Sequence, residues 1–323
     1  MTDKPIRVGF IGAGDVSILH AAAVNKMDDA QLVGLWNRTE SRAQQRAREF
    51  NCRVYPTPEK LVADPDIDAV FVLTNLETHL TYCELALNAG KHVFVEKPVS
   101  ETVENVQRIA DLARQAHRVC MPGHNMIYED SILRSRELID AGRLGRLISI
   151  YVLYNLHHSE EVMVRYPGVI RQIMTHNLYS LIYLGGPPRR VQAFKACLHY
   201  QKLTREDIAM VNIELENGAL AHLCASFAAD DLTSDPWSFL IKVIGTEGST
   251  CYTYHDWVQA QKGTNHFRTF TAYAGSIANA GCEFIRLIRY GGTPRSTLDD
   301  AVSAQRAIEA IERSIATQQS VTC

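Results

Sequence analysis

In the first part of the chain, up to residue 122, short apolar runs alternate with segments whose apolar positions recur at helical spacing. The apolar runs are too short for helices and are rich in β-branched and aromatic residues, which is typical of buried strands. Strands are predicted at residues 8–11, 32–36, 54–55, 69–73, 93–96 and 119–121, with helices at residues 20–25, 39–50 and 78–88. Strands that alternate with helices at this spacing indicate a parallel sheet covered on both faces.

The pattern changes after residue 122, where several apolar runs follow one another with only turns between them. Neighbouring strands joined by turns indicate a largely antiparallel sheet, and hence a second domain of a different type. Its strands are predicted at residues 147–156, 191–200, 208–216, 219–227, 239–244 and 250–254, and Asn217-Gly218 is typical of a tight hairpin. The sequence thus predicts an α/β domain over residues 1–122 and an α+β domain over residues 123–323. The last helix, residues 297–316, either stays with the second domain or packs back on the first.

Composition and charge are those of a globular protein. The 323 residues suffice for two domains, and a hydrophobic content of 46% suffices to fill their cores. A formal net charge of −3 without Lys/Arg runs argues against a nucleic-acid groove, and no apolar run reaches the roughly 18 residues of a membrane helix. The amino terminus lacks a signal-peptide pattern, and the eight cysteines include no Cys-x-x-Cys pair. We expect a cytoplasmic protein with reduced thiols and no metal, and with neither nucleic acid nor membrane as partners.

A glycine turn, Gly9-Phe10-Ile11-Gly12-Ala13-Gly14, connects the first predicted strand to the first predicted helix. Gly12 allows the tight turn, and Gly14 lets the backbone approach a pyrophosphate whose charge is favoured by the helix amino terminus. Ser17 stands where a third glycine is usual, and its small side chain still permits close packing of the helix on the strand. The turn therefore predicts a dinucleotide site, with an ordinary glycine-rich turn as the alternative. The residues assigned to it are Gly12, Ala13, Gly14, Asp15 and Val16.

The end of the second predicted strand bears on which dinucleotide binds. About twenty residues past such a turn, an Asp or Glu commonly holds the ribose hydroxyls of NAD. Asn37 occupies that place here, and Arg38, Thr39, Ser41 and Arg42 follow it. These polar and basic residues are suited to a 2′-phosphate, so the pattern favours NADP over NAD. The alternative is a solvated helix start with Thr39 as its N-cap.

A lysine ends the fifth predicted strand, in the run Val93-Phe94-Val95-Glu96-Lys97-Pro98. The carboxyl ends of the strands in an open α/β sheet form the crevice in which such sheets bind ligands. A cation there is suited to stabilise negative charge that develops on oxygen. Pro98 fixes the chain after Lys97, which argues against an ordinary surface lysine. With the glycine turn, Lys97 predicts a nicotinamide-dependent oxidoreductase.

Several motifs, in this order and spacing, resemble the Gfo/Idh/MocA family of glucose–fructose oxidoreductases and inositol dehydrogenases. They are Gly12-Ala13-Gly14 with His20, Thr74-Asn75 with His79, Glu96-Lys97-Pro98, and the segment Gly168 to Tyr179 that contains His176. The resemblance runs nearly from end to end of the chain. It implies a Rossmann domain followed by a domain with an open-faced sheet, through which such enzymes often form homodimers or homotetramers.

The resemblance also implies catalytic roles. Lys97 would hydrogen-bond the reacting hydroxyl and help to stabilise its developing alkoxide. His176 would accept the hydroxyl proton, which suits imidazole because its ordinary pKa is near neutrality. Loss of hydride from a carbinol requires simultaneous removal of that proton, which agrees with the pairing. For His176 the alternative is a satisfied core histidine on a helix.

The remaining candidate residues are assigned to the cofactor or to the substrate. The resemblance places Thr74 and Asn75 along the nicotinamide side, whereas His79 is either a cofactor contact or a packed residue at a helix start. Glu96 joins the cofactor set beside Lys97. Contacts to the substrate are expected from Asn125, His157, Arg165 and Gln172, in addition to Lys97 and His176.

One departure from the family pattern concerns the acids around His176. An acid is usual four residues before the histidine, where this chain has Gln172, and another is common three residues after it, where Tyr179 stands. An amide orients a hydroxyl but accepts no proton, so Tyr179 becomes the candidate auxiliary. The sequence predicts an oxidoreductase of a sugar, cyclitol or related polyol. The alternatives are a dehydrogenase of a cyclic hemiacetal or aromatic-derived aldehyde, a catalytically silent nucleotide-binding regulator, and a scaffold that binds partners through its sheet.

Overall fold

The computed structural model describes residues 4–157, 159–227, 237–253 and 267–323. The chain divides into two compact units. The first consists of Met1–Tyr128 and Ala274–Val302, and the second of Glu129–Tyr273 and Ser303–Cys323.

The first unit is built on a six-stranded sheet whose described pairings are all parallel. Its strands are β1 Ile6–Ile11, β2 Ala30–Trp36, β3 Arg53–Val54, β4 Ala69–Val72, β5 His92–Val95 and β6 Cys120–Pro122. Their order, β3-β2-β1-β4-β5-β6, is that of a dinucleotide-binding doubly wound sheet. All of β4 is buried, as expected for a strand covered on both faces. The predicted parallel sheet is confirmed.

The second unit is built on a seven-stranded sheet. Its strands are β7 Leu147–Leu156, β8 Pro188–Ala196, β9 Ile208–Leu215, β10 Leu220–Ser226, β11 Trp237–Gly245, β12 Ser249–Thr253 and β13 Val321–Thr322. They lie in the order β12-β11-β7-β10-β9-β8-β13, and of these pairings only β7 with β10 is parallel. The prediction of a largely antiparallel sheet is therefore confirmed, and the hairpin at Asn217-Gly218 joins β9 to β10.

Ten α-helices lie in the described part of the chain. They are α1 Val16–Val24, α2 Glu40–Phe50, α3 Pro58–Ala63, α4 His79–Asn88, α5 Val103–Ala116, α6 Asp130–Asp140, α7 Glu160–Met163, α8 Thr175–Gly185, α9 Phe267–Tyr290 and α10 Leu298–Thr317. In α5, Val106, Ile109, Ala110 and Ala113 are buried at helical spacing, and Thr102 caps the helix through the N–H of Asn105. No helix within the described residues has both the length and the apolar character that a membrane crossing needs.

Several predicted element boundaries were wrong. The strand predicted at residues 191–200 ends at Ala196, because the buried carboxylate of Asp207 accepts hydrogen bonds from the backbone N–H groups of Leu198, His199 and Tyr200. The helix predicted at residues 20–25 begins earlier, at Val16. Tyr254, the last residue of the predicted strand 250–254, lies outside the described residues.

Candidate active site

The glycine turn leads from β1 into α1. Gly12 has a φ of +110°, which favours glycine, and a Cβ there would lie 2.5 Å from the carbonyl oxygen of Leu73. A Cβ on Gly14, in contrast, would meet nothing within 4 Å. Asp15, the N-cap of α1, makes no side-chain cap hydrogen bond, and its carboxylate lies 3.6 Å from the guanidinium of Arg46. The turn thus leaves open space at a helix amino terminus, which fits a pyrophosphate.

Asn37 follows β2 and contacts the glycine turn directly. Its Oδ1 accepts a hydrogen bond from the N–H of Ala13 at 3.0 Å, and its Nδ2 donates to the carbonyl oxygen of Thr39 at 3.1 Å. Thr39 occupies the N-cap position of α2 without capping a backbone N–H through its side chain. The exposed Arg38 makes no ion pair with any residue that the structure describes. Within the described residues, an exposed cation that forms no ion pair therefore stands beside Asn37, the residue at the place of the usual ribose-binding acid.

The loop after β4 lies against the glycine turn and carries Thr74 and Asn75. The hydroxyl oxygen of Thr78 lies 2.8 Å from both Oγ1 of Thr74 and the carbonyl oxygen of Asn75. His79 is 1% exposed, with Nε2 3.0 Å from the carbonyl oxygen of Thr74 and Nδ1 2.9 Å from that of Pro98. Of the two interpretations left open for His79, this geometry favours the packed residue at a helix start.

Lys97 follows β5 in a turn that contains a cis Lys97–Pro98 peptide bond. Its backbone N–H donates to Oε2 of Glu96 at 3.0 Å. The other carboxylate oxygen of Glu96 lies 2.8 Å from Nε2 of His20, which is buried in α1 and makes edge contacts with the rings of Phe71 and Phe94. The Glu-Lys-Pro turn is therefore connected to the helix that starts at the glycine turn.

Glu96 and Lys97 carry opposite charges, and each stabilises the charged form of the other. Burial alone would raise the pKa of Glu96, but the hydrogen bond from His20 and the positive charge of Lys97 hold that pKa below its usual value. Burial lowers the pKa of the Lys97 ammonium, and the charge of Glu96 opposes this shift. An amine whose pKa is lowered in this way is a stronger hydrogen-bond acid than an ordinary surface lysine.

His124 is a candidate site residue that sequence reasoning missed. It stands two residues after β6, as Lys97 stands two residues after β5, and Val95 of β5 pairs with Pro122 of β6 in register. His124 is 2% exposed, and its burial, followed by the charge of Lys97, lowers its pKa to about 3. The signal that points to it is this matching position at the sheet edge. Neutral at ordinary pH, the His124 imidazole has one N–H to donate and one nitrogen to accept.

Asn125, predicted to contact the substrate, is engaged within the first unit. It is 4% exposed, and its Nδ2 donates to the hydroxyl of Ser276 in α9 at 2.8 Å. This hydrogen bond holds the segment that follows β6 against α9.

In the second unit, His176 and Tyr179 lie next to each other on α8. The phenol oxygen of Tyr179 lies 2.5 Å from Nδ1 of His176, and the edge of the Tyr154 ring faces the imidazole with centroids 5.6 Å apart. His176 is 3% and Tyr179 1% exposed. Asn177 fixes the helix against the sheet by donating to the carbonyl oxygen of Cys224 at 2.9 Å.

A π-helical turn, Ile170–Met174, precedes α8 and contains Gln172. Turns of this type are frequent at functional sites. Arg171 holds it to α10 through a bidentate ion pair with Glu312, with N–O distances of 2.8 and 2.9 Å. Gln172 therefore lies on a segment that is held to α10 and leads directly into α8, the helix of His176.

The other predicted substrate residues of the second unit, His157 and Arg165, follow β7 in the chain. The imidazole of His157 stacks on the ring of Tyr200 at 6.2 Å and meets the edge of His199 at 5.4 Å. Arg165 is exposed and forms no ion pair within the described ranges. Among the described residues, no group of three or more His, Cys, Asp or Glu side chains is arranged to hold a metal ion.

Comparison with known proteins identifies the family to which both parts of the chain are similar. Residues 6–124 match an oxidoreductase family with an NAD-binding Rossmann fold, and residues 132–251 match the carboxyl-terminal domain of the same GFO/IDH/MocA family. The inositol 2-dehydrogenase of Rhizobium meliloti (strain 1021) is 26% identical over 331 residues, covering 98% of this chain and 99% of the relative. The scyllo-inositol 2-dehydrogenase (NAD(+)) of Bacillus subtilis (strain 168) is 26% identical, covering 93% and 91%.

A solved structure supports the fold. The apo scyllo-inositol dehydrogenase of Lactobacillus casei superposes with a TM-score of 0.89 over 100% of this chain and 99% of that one, at 21% identity. With both parts of the chain matched by models of one family, the protein belongs to the Gfo/Idh/MocA oxidoreductases, and its first unit is their NAD(P)-binding Rossmann domain.

Proposed function

We propose that this protein transfers a hydride between NAD(P) and the hydroxyl or keto group of a sugar, cyclitol or related polyol. The observation that carries the proposal is the Glu96-Lys97-Pro98 turn at the carboxyl edge of the Rossmann sheet, with a partly buried ammonium two strands away from the glycine turn. The inositol dehydrogenases that align along nearly the whole chain support the substrate class.

The residues of the first unit would hold the cofactor, which supplies the hydride acceptor or donor when bound. The backbone of Gly12, Ala13 and Gly14 and the start of α1 at Val16 suit the pyrophosphate. Thr74 and Asn75 suit the nicotinamide side. We propose that His79 and Glu96 act on the cofactor indirectly, through the loops that they hold.

Lys97 would donate a hydrogen bond to the oxygen at the reacting carbon. As hydride leaves the carbon and the proton leaves the hydroxyl, negative charge grows on that oxygen, and a preorganised ammonium stabilises it. Burial favours this role, because a hydrogen bond from a charged donor is strongest where water is excluded. His124, two residues after β6 as Lys97 is two residues after β5, is placed to act on the same substrate through a neutral imidazole.

His176 would accept the hydroxyl proton in oxidation and return it in reduction. Its Nδ1 faces the phenol of Tyr179, so we assign proton transfer to Nε2. When Nδ1 carries the imidazole proton and donates it to the phenol oxygen, Nε2 presents the lone pair that a base requires. Tyr179 would thus select the reactive tautomer, from the position where the family pattern commonly has an acid.

Binding and orientation of the substrate would fall to polar groups near His176. Gln172, on the turn before α8, has both an amide donor and an acceptor for a hydroxyl. Arg165 and His157 follow β7, where Arg165 suits an anionic or polyhydroxyl group. Asn125 completes this set from the first unit, although its amide already binds Ser276.

For the cofactor we propose a preference for NADP. Asn37 replaces the acid that would repel a 2′-phosphate, and its side chain is bound to Ala13 and Thr39. Arg38 is exposed next to it and supplies a positive charge. A charge-assisted hydrogen bond to phosphate is the expected contact.

We also propose that the protein is a homodimer or homotetramer assembled through the open sheet of the second unit. Tyr151, Phe194, Met210 and Leu220 point to one face of that sheet and are 44%, 67%, 45% and 60% exposed. Apolar side chains of this size in one surface commonly mark a protein interface. Light scattering on the wild type and on Phe194→Asp tests this: a dissociating variant supports the assembly, and a monomeric wild type refutes it.

A catalytically silent nucleotide-binding protein is the second candidate, and Gln172 favours it because an amide accepts no proton. The test is cofactor reduction by NAD⁺ and NADP⁺ with a panel of inositols, aldoses and anhydrosugars. Turnover that falls by roughly 10²–10³-fold in Lys97→Ala, through lost electrostatic stabilisation, supports the dehydrogenase. Tight cofactor binding without turnover of any polyol would favour the silent protein.

A further inference from the structure

The Glu96-Lys97-Pro98 turn is bound on each side by a buried histidine, and we propose that this histidine pair, His20 and His79, positions Lys97 for the reaction. The inference rests on the catalytic role proposed above for Lys97. It concerns two residues that need no contact with cofactor or substrate, since each is only 1% exposed.

The first side of the turn is held by α1. His20 lies 2.8 Å from Oε1 of Glu96, and its ring is fixed by edge contacts to Phe71 and Phe94, with centroids 5.5 and 5.2 Å away. The imidazole is thus locked by packing, so it holds the carboxylate in one place.

Glu96 passes this constraint on to Lys97. Its second oxygen, Oε2, accepts the backbone N–H of Lys97 at 3.0 Å. A carboxylate bound at both oxygens has little freedom to rotate. The backbone of the lysine is therefore fixed by a two-step connection that begins at His20.

The second side of the turn is held by α4. His79, the first residue of that helix, places Nδ1 2.9 Å from the carbonyl oxygen of Pro98 and Nε2 3.0 Å from that of Thr74. Its ring therefore lies between the loop after β4 and the loop after β5, and in the neutral form it donates a hydrogen bond to one of the two carbonyl oxygens. Lys97 stands between a residue bound by His20 and a residue bound by His79.

The tautomer of His79 decides which carbonyl oxygen accepts a hydrogen bond from the ring. Burial lowers the pKa of His79, which favours the neutral ring with a single N–H. Placement of that proton on Nδ1 gives the hydrogen bond to Pro98, and this is the tautomer that fixes the lysine turn.

The histidine pair connects Lys97 to the elements proposed to hold the cofactor. His20 lies on the helix that begins at the glycine turn, and His79 reaches the carbonyl oxygen of Thr74. A shift of the lysine relative to either element would move its ammonium away from the reacting oxygen. Misplacement of a reacting group by about 1 Å costs on the order of 100-fold in rate.

The test compares apolar and conservative substitutions. His20→Leu and His79→Leu remove the polar contacts at similar volume. His20→Gln and His79→Asn keep an amide donor near the position of the ring nitrogen that faces Glu96 or Pro98. His92→Leu is the matched control. His92 begins β5, the strand that Glu96 and Lys97 follow, and its Nδ1 accepts the N–H of Val119 at 3.0 Å at the amino end of the strand, away from the lysine turn.

Three quantities are measured: kcat and KM on a substrate from the panel, the Kd of NAD(P)H by fluorescence, and the rate at which Lys97 is acylated in the cofactor-free protein, by mass spectrometry. We expect each Leu variant to lower kcat by roughly 10- to 100-fold with Kd within a few-fold, and to speed acylation of Lys97. The Gln and Asn variants should recover most of kcat. His92→Leu should change none of these values.

The outcomes separate this inference from the proposed function. Normal kcat and normal acylation in both Leu variants, with Lys97→Met inactive, would overturn the positioning role and leave the proposed function intact. A combined fall in kcat, cofactor affinity and Tm that the Gln and Asn variants do not reverse would also overturn it. The histidines would then serve folding alone. Full turnover in Lys97→Met would refute the role of the lysine itself.

Discussion

The phenol oxygen of Tyr179 lies 2.5 Å from Nδ1 of His176, one helical turn away on the same buried face of α8. The family pattern commonly has an acid where Tyr179 stands, so a neutral partner replaces a charged one. A carboxylate would stabilise the imidazolium that forms when the histidine takes a proton, whereas a phenol mainly fixes the tautomer. His176, the base that we propose, therefore has a phenol beside it in place of the usual acid.

We predict that NADP(H) binds at least as tightly as NAD(H), and that Arg38→Ala selectively weakens NADP(H). Loss of one charge-assisted hydrogen bond to the 2′-phosphate should cost on the order of 2 kcal/mol. Fluorescence titration of both cofactors measures the effect, and the NAD(H) affinity of the same variant is the control. Tighter NAD(H) binding that the substitution leaves unchanged would refute the preference.

We predict that Gly14→Val abolishes cofactor binding in a folded protein. A Cβ at this position meets nothing within 4 Å, and we expect the valine branches beyond it to occupy the space proposed for the pyrophosphate. Gly12→Ala is the contrasting variant, because its Cβ would lie 2.5 Å from Leu73 O at a φ of +110°. Thermal unfolding should show a lower Tm for Gly12→Ala only. Normal cofactor titration in Gly14→Val would mean that the turn is not the binding site.

We predict that Glu96→Gln moves the basic limb of the pH–rate profile to lower pH. The charge of Glu96 raises the pKa of Lys97 against the effect of burial, so its removal lets that pKa fall further. Lys97 then loses its proton at a lower pH, and the activity that depends on the ammonium is lost there. The exposed Glu104, at the start of α5, supplies the control variant Glu104→Gln. An unchanged basic limb in Glu96→Gln would contradict the coupling of the two charges.

We predict that Glu129→Gln stabilises the protein above neutral pH. Burial, followed by the charge of Asp130, raises the pKa of Glu129 to about 7 against the hydrogen bond from Tyr252, and within the described residues its Oε1 has no partner. The unfolded chain releases this proton near the ordinary value of 4.5. Stability is thus lost as pH rises from there to about 7, by roughly 3 kcal/mol at most.

The measurement for Glu129 is Tm as a function of pH. The variant should have the higher Tm at about pH 8, and the difference should vanish near pH 4, where the folded and unfolded chains both keep the proton. A difference in Tm that stays constant with pH would show that the Glu129 carboxyl has the same pKa in the folded and the unfolded chain.

Much of the first unit could be predicted from the sequence because its signals are local. A strand buried on both faces reads as a continuous apolar run, and Gly12 and Lys97 mark the carboxyl ends of two such strands. The helix α9 was not predicted. Its buried residues Ile277, Ala280, Phe284 and Leu287 are spaced for a helix, but Gly275 and Gly281 lower its intrinsic propensity.

The contacts between distant side chains were out of reach of sequence patterns. Asp207 ends β8 by accepting hydrogen bonds from three N–H groups about eight residues earlier in the chain. No periodicity in the sequence predicts these contacts. His20 and His79 could be recognised as family motifs, but their contacts with Glu96 and Pro98 depend on how strands and helices pack. His124 was missed because its significance comes from the register of β6 with β5.

The central claim is that Lys97 and His176 act on one hydroxyl, with His176 as the base, and a pH–rate profile of the oxidation tests it most directly. We predict a near-neutral ionisation in the wild type that disappears in His176→Ala, with turnover lowered by roughly 10²–10⁴-fold through lost proton transfer. It should persist in Tyr179→Phe at reduced rate, and Gln172→Ala should cost less than His176→Ala, because an amide contributes orientation alone. An ionisation that survives in His176→Ala and vanishes in Tyr179→Phe would contradict the assignment and make the tyrosine the base.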